Sequence, residues 1–167
     1  MTLKGLQNRI CLFLVNKVYS GTGNFEKKRK LLNKLGHQIG EGSKVVGPVF
    51  ATGKLVTGKD CWIGKNLLLN GNGTVVIGDN CDIAPEVTFQ TGSHNIGSHK
   101  RRAGEGYNDD VVIGNGCWIG VRSTILGGVK LGDGCVVAAC ACVTKEFGDD
   151  VLVGGVPAKE IKELPYD

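Results

Sequence analysis

A six-residue period runs through most of this 167-residue chain. The unit reads aliphatic–Gly–x–x–small–x, as in Ile77-Gly-Asp-Asn-Cys-Asp82 and Ile113-Gly-Asn-Gly-Cys-Trp118. Units open at Ile39, Val45, Ala51, Thr57, Ile63 and Leu69, then at Ile77, Ile83 and Phe89. They continue at Ile113, Ile119, Ile125, Leu131, Val137 and Val143. Twelve of these fifteen openings are Ile, Leu or Val, and seven of the fifteen second positions are Gly. Two extra residues near Val75 shift the phase once. Each unit is then one short strand and a turn, and the units must stack as a solenoid to bury a core. The aliphatic opener points inward, and the glycine is expected to relieve the turn behind it. Strands of successive coils stack at about 4.8 Å into parallel sheets. The fifth position also points inward, where only a small or medium side chain fits. It is cysteine at Cys61, Cys81, Cys117 and Cys135. Cys117 and Cys135 are 18 residues apart, so three hexads per coil put them in one column. These thiols read as core filler.

Composition supports the same picture. There are 27 glycines, roughly double ordinary usage, without the Gly-X-Y period of collagen. An apolar share of 41% and a charged share of 22% are globular values and argue against disorder. The length fits one domain with a short appendage. The net charge of +4 conceals an asymmetry. Residues 1–36 hold eight Lys/Arg and one acid, whereas residues 37–167 hold twelve Lys/Arg and fifteen acids. The positive charge therefore belongs to one end, which disfavours a nucleic-acid-binding reading of the whole chain. Seven cysteines, with no C-x-x-C pair, suggest free thiols and a cytoplasmic protein. The apolar run Ile10–Val15 is too short for a signal core or a membrane span.

Two regions fall outside the repeat. Residues 3–20 carry Leu3, Leu6, Ile10, Phe13, Leu14 and Val18 at helical spacing, and residues 24–35 read as a second, basic helix ended by Gly36. This 1–36 segment is expected to cap the first coil. The alternative is docking to an anionic membrane or a lipid-linked glycan through Lys27, Lys28, Arg29 and Lys30. Residues 95–112 form the second interruption. They are polar, and the repeat resumes in phase after them. They read as a loop extruded from one corner of the 37–158 solenoid, where function is expected. Residues 159–167 read as a tail.

The hexads over residues 39–158 resemble the hexapeptide-repeat acyltransferases. The resemblance implies a mainly β fold, the left-handed parallel β-helix, and a homotrimer. Thr91-Gly-Ser-His94, then Tyr107, then the stretch from Val111 to Gly120 is similar in layout to the sugar O-acetyltransferase branch, which includes galactoside, maltose, nodulation-type and exopolysaccharide acetyltransferases. By that resemblance His94 is the catalytic base. It would take a proton from an acceptor hydroxyl as the oxygen attacks the thioester of acetyl-coenzyme A, then return it to the leaving thiolate. Trp118 matches a tryptophan packed by the imidazole, and Glu105 matches a loop carboxylate that orients a histidine. Asn70, Asn72 and Tyr107 fall where acceptor-binding residues occur. His99 reads as a solvated loop residue.

The same resemblance places the pantetheine arm along Gly120, Ala139, Thr144 and Lys145, and the nucleotide phosphates by Lys159 and Lys162. No metal is implied. Some hexapeptide-repeat proteins are carbonic anhydrases with three histidine ligands. Two of those ligands lie five residues apart, as His94 and His99 do, but the third candidate, His37, precedes the first hexad. Others are non-catalytic scaffold subunits, and serine, antibiotic or sugar-amine acceptors are further alternatives to a carbohydrate hydroxyl.

Overall fold

The computed structural model describes residues 2–166. The hexads wind into a left-handed β-solenoid of triangular section. Its first face stacks Gln38–Ile39, Lys54–Thr57, Thr74–Ile77, Val111–Ile113 and Lys130–Leu131. The second stacks Lys44–Val45, Trp62–Ile63, Asp82–Ile83, Trp118–Ile119, Val136–Val137 and Val151–Gly155. The third stacks Val49–Ala51, Leu67–Asn70, Thr88–Gln90, Thr124–Leu126 and Cys142–Val143. Neighbouring coils pair in parallel, opener on opener: Val45 on Ile63, Ile63 on Ile83, Ile83 on Ile119, Ile119 on Val137. Fourteen of the fifteen hexad openers are buried, and Ala51 is half-buried.

Glycine serves a different purpose from the one expected of it. At the second hexad position the backbone is not left-handed; the constraint is the next coil. A Cβ on Gly64 would lie 2.5 Å from Pro85 N and 2.6 Å from Ala84 C. The left-handed residue comes two positions later, at Asp60, Asn66, Asn80, Glu86, Gly116, Arg122 and Cys140. Asn and Asp tolerate that conformation, so the turn does not demand glycine.

The inward cysteines are more than filler. Their thiols donate to carbonyls of the following coil: Cys61 Sγ to Gly78 O at 3.0 Å, Cys81 to Gly114 O at 3.1 Å, Cys117 to Gly132 O at 3.2 Å, and Cys135 to Gly148 O at 2.9 Å. Ser43 Oγ does the same to Gly58 O in the first coil, at 2.9 Å. The ladder satisfies corner carbonyls that face the core, where an unpaired acceptor is costly.

At the open end, helix α1 (Leu3–Phe13) continues into a π turn (Leu14–Val18), and helix α2 (Phe25–Lys34) follows. The cap is built by the turn and α2. Val15 and Leu32 enter the core, Asn16 holds both backbone groups of Val49, and the Asn33 side chain holds those of Ile39. Helix α1 buries none of its residues; Leu3, Leu6, Ile10 and Phe13 are exposed along one stripe.

The basic cluster expected at 27–30 is largely spoken for. Lys28 is fully buried, its Nζ donating to Gly21 O at 2.6 Å. Arg29 forks onto Glu26, and Lys30 lies 3.4 Å from the same carboxylate. At the other end the stretch read as a tail carries a strand. Ala158–Glu163 folds back antiparallel on Val151–Gly155 and closes the second face.

Candidate active site

The segment read as an extruded loop is an antiparallel hairpin, Gly92–Ile96 against Ala103–Asn108, and Val111 and Val112 already belong to the first face. It leaves the corner between the third and first faces. Its base is clipped to the extra residues that shifted the repeat. The Asn72 amide donates to Asn108 Oδ1 at 2.7 Å, and the Thr74 amide to Asp110 Oδ1 at 2.6 Å. Gly71, at φ +93°, lies so close that a Cβ would meet Gly92 N at 2.3 Å. The phase shift in the repeat is therefore the seat of the hairpin.

His94 stands exposed on the first hairpin strand, opposite Gly106. Its Nδ1 is 3.0 Å from Gly104 O. A carbonyl only accepts, so Nδ1 carries the proton and Nε2 offers a lone pair. A cleft of about 490 Å³ opens beside it, lined by Gln90, Gly92, Ser93, His94, Gly106, Tyr107 and Asn108. Asn70 joins this group indirectly, its Nδ2 donating to Gln90 Oε1 at 3.2 Å. Asn72, His94 and Tyr107 are thus brought to one place, with Asn70 bound to its edge. Gln90 and Asn108 were not anticipated from sequence. A polar Gln at a second hexad position, where Gly is the commonest residue, was the signal for the first.

Two expected neighbours of His94 are elsewhere. Glu105 is exposed and makes no contact with the imidazole; the Gly104 carbonyl orients the ring instead. Trp118 is 58% exposed on the second face, whereas His94 lies at the corner of the other two. The two line separate clefts of one chain.

The expected coenzyme positions divide into three groups. Gly120 and Ala139 stack at the corner between the second and third faces. The Gly120 amide is bound to Val137 O at 2.8 Å, while the exposed Ala139 amide has no partner among the described residues. Thr144 and Lys145 are exposed at the corner that carries His94, two coils further on, with Lys145 Nζ 5.3 Å from the Phe147 ring centroid. Lys159 and Lys162 are exposed on the closing hairpin. Among the described residues the Ala139 amide has no acceptor and these lysines no anionic partner, which suits a pantetheine arm and phosphates.

The three histidines do not converge. His37 Nδ1 accepts from the Leu55 amide at 3.2 Å on the first coil, and burial pushes its imidazole pKa below the ordinary value. Among the described residues no three His, Cys, Asp or Glu side chains gather as metal ligands.

Residues 110–145 match the family model described as bacterial transferase hexapeptide (six repeats). Over 96% of its length the chain is 34% identical to the galactoside O-acetyltransferase of Escherichia coli K12, covering 79% of that protein. The chain belongs to the hexapeptide-repeat acyltransferases. Its fold superposes on a galactoside acetyltransferase solved in complex with coenzyme A, with a TM-score of 0.83 and 32% identity, over 97% of this chain and 81% of that one. It superposes equally, at TM-score 0.83 and 28% identity, on a Vibrio cholerae family member complexed with acetyl coenzyme A, over 98% of this chain and 88% of the other.

Proposed function

We propose that the protein transfers an acetyl group to a hydroxyl of a carbohydrate, with His94 as general base. The activity is acetyl-CoA-dependent acyl transfer, and acetyl-CoA is the co-substrate. The observation that carries the finer reading is the His94 tautomer. With Nδ1–H committed to Gly104 O, Nε2 is the only basic atom the ring presents to the cleft. Nε2 takes the acceptor's hydroxyl proton as that oxygen bonds to the thioester carbonyl carbon. The tetrahedral intermediate then expels the coenzyme A thiolate, which recovers the proton from Nε2. The amides and hydroxyl-binding side chains around the ring, Gln90, Tyr107 and Asn108, suit a polyhydroxylated acceptor. The likeness to galactoside acetyltransferases supports a sugar, and an exopolysaccharide, capsule or lipopolysaccharide precursor is the acceptor class proposed. Coenzyme A release should be measured across an acceptor panel. Turnover with sugars and not with serine, chloramphenicol or amines is expected; the reverse order of activity refutes the reading.

We further propose a homotrimer with sites between subunits. One chain offers only half a pocket to His94, with the Ala139 amide and Trp118 on other edges of the prism. Sedimentation should give three chains, and a fully active monomer would refute this.

The N-terminal segment supports a second proposal, contact with the anionic inner face of a membrane. The stripe of Leu3, Leu6, Ile10 and Phe13 faces away from the body, and residues 2–25 contain Lys4, Arg9 and Lys17 but no acid. No helix among the described residues is long and apolar enough to cross a bilayer. Flotation with vesicles rich in phosphatidylglycerol, lost in the Ile10→Ser, Phe13→Ser double variant, is expected. No flotation at low salt would refute the contact.

A further inference from the structure

We propose that Lys100, Arg101 and Arg102, at the tip of the His94 hairpin, bind an anionic group of the acceptor, which is therefore a saccharide carrying a uronate carboxylate or a phosphate. The proposal rests on the carbohydrate reading of the active site and narrows its substrate class. Lys100-Arg101-Arg102 is the only place in residues 37–167 where basic residues adjoin. The rest of that stretch holds nine Lys/Arg against fifteen acids. All three side chains are exposed. Like charges side by side repel one another, and an anion bound among them relieves that repulsion. No acid of the chain does so: none of the ion pairs among the described residues involves these three, and Glu105, the acid nearest in sequence, is not paired with them.

The turn that carries the cations is fixed by its own backbone. The Gly97 amide donates to Arg102 O at 2.9 Å, and the Arg101 amide to Ser98 O at 3.0 Å. Arg102 Nη1 donates across the turn to Gly97 O at 3.3 Å, and a Cβ on Gly97 would run into Arg101 O. The turn thus keeps its shape without the side chains of Lys100 and Arg101, which have no hydrogen-bond or ion-pair partner among the described residues. The same hairpin carries His94 opposite Gly106, and Ile96 opposite Ala103 one rung further out. From His94 to Ser98 the strand rise gives about 10–13 Å. The cleft at His94 has no Lys, Arg, Asp or Glu in its lining. A neutral cleft at the base, with cations one short oligosaccharide away on the same rigid element, suits an acceptor whose reacting hydroxyl and charge sit on different sugar units. The guanidinium fork of Arg101 matches a carboxylate or phosphate with two parallel hydrogen bonds. Coenzyme A phosphates have candidate cations of their own in Lys159 and Lys162, on the closing hairpin at the end of the solenoid.

The test separates charge from sugar identity. Full-length protein should be assayed with acetyl-CoA and two matched acceptor pairs. Trigalacturonate is set against its methyl ester, which keeps the hydroxyls and loses the charge, and UDP-galactose is set against galactose. In at least one pair the charged member should be favoured about tenfold in kcat/KM at low salt, roughly what two exposed ion pairs are worth together. The preference should fade as salt rises. Which pair shows it tells a carboxylate from a phosphate. In the Lys100→Gln, Arg101→Gln double variant the preference should fall to near one through the acceptor KM, with the melting temperature of the parent. Turnover of the neutral members equal to or better than that of the charged ones, in both pairs, overturns the anion site and leaves the carbohydrate reading standing. No transfer to any of the four sugars, with transfer to serine or amines, overturns both. A loss in the double variant that is equal for charged and neutral acceptors, or that appears in the KM for acetyl-CoA, overturns the anion site. Dissociation of the oligomer, or loss of flotation on phosphatidylglycerol vesicles, with the acceptor preference intact makes the tip a contact with a subunit or a membrane and overturns it too.

Discussion

Replacing His94 with alanine is expected to lower the rate of acetyl transfer by about 10²–10⁴, the usual worth of a positioned general base. Acetyl-CoA affinity should change little, because the imidazole is proposed to move a proton, not to hold the nucleotide. The side chain is exposed and makes one hydrogen bond, Nδ1 to Gly104 O, so the fold should tolerate its removal. Steady-state kinetics and calorimetric titration with acetyl-CoA separate the two effects. His99→Ala is the internal control: it lies beyond the paired part of the hairpin and outside the cleft, and its variant should retain activity. Loss of transfer in His99→Ala with a harmless His94→Ala would overturn the assignment.

A large loss of stability is expected from a single methyl group. Gly64→Ala places a Cβ 2.5 Å from Pro85 N and 2.6 Å from Ala84 C, both backbone atoms of the next coil. No rotamer can relieve such a contact, and the coils must separate locally. The cost is put at about 3 kcal/mol, at the upper end for overpacking. A chain of this size should then melt roughly 6–12 °C lower. Gly148→Ala is the matched control. Nothing lies within 4 Å of its Cβ position and its φ is not left-handed. Its melting temperature should stay close to that of the parent, within about 0.5 kcal/mol of stability. Equal melting temperatures for the two variants would show that coil spacing does not require glycine at the second hexad position.

The contrast between those glycines shows where a linear reading succeeds. Ile63, Ile83, Ile119 and Val137 repeat at a fixed interval because each must fill the same inward slot, and that demand is written locally in every coil. Hence the solenoid and, at three hexads per coil, the cysteine column could be read from spacing; the triangular section came from resemblance to a family. The histidine at the base of the extruded segment was also legible, since His94 closes a hexad and the phase resumes beyond it. Handedness came from resemblance to a family, because spacing is the same for either hand.

The remaining features depend on contacts between residues far apart in the chain. Asn72 and Asn108 are 36 residues apart, and only the closed coil shows that the two-residue phase shift receives the hairpin. The basic run Lys27–Lys30 looked like a free patch. Folding buries Lys28 on the Gly21 carbonyl and ties Arg29 and Lys30 to Glu26. Glu105 is one residue from the carbonyl that orients His94, yet its carboxylate does not touch the ring. Trp62, Asp82 and Trp118 are scattered in sequence and become neighbours only through interstrand register. The sequence by itself determined the repeat, the core and the place of His94 at the end of a hexad, because a periodic steric demand is local. The tertiary structure decided which polar groups meet and which charges remain free. A hydrogen bond or ion pair forms within a few ångströms of space, and that distance is set by coil stacking, not by separation along the chain.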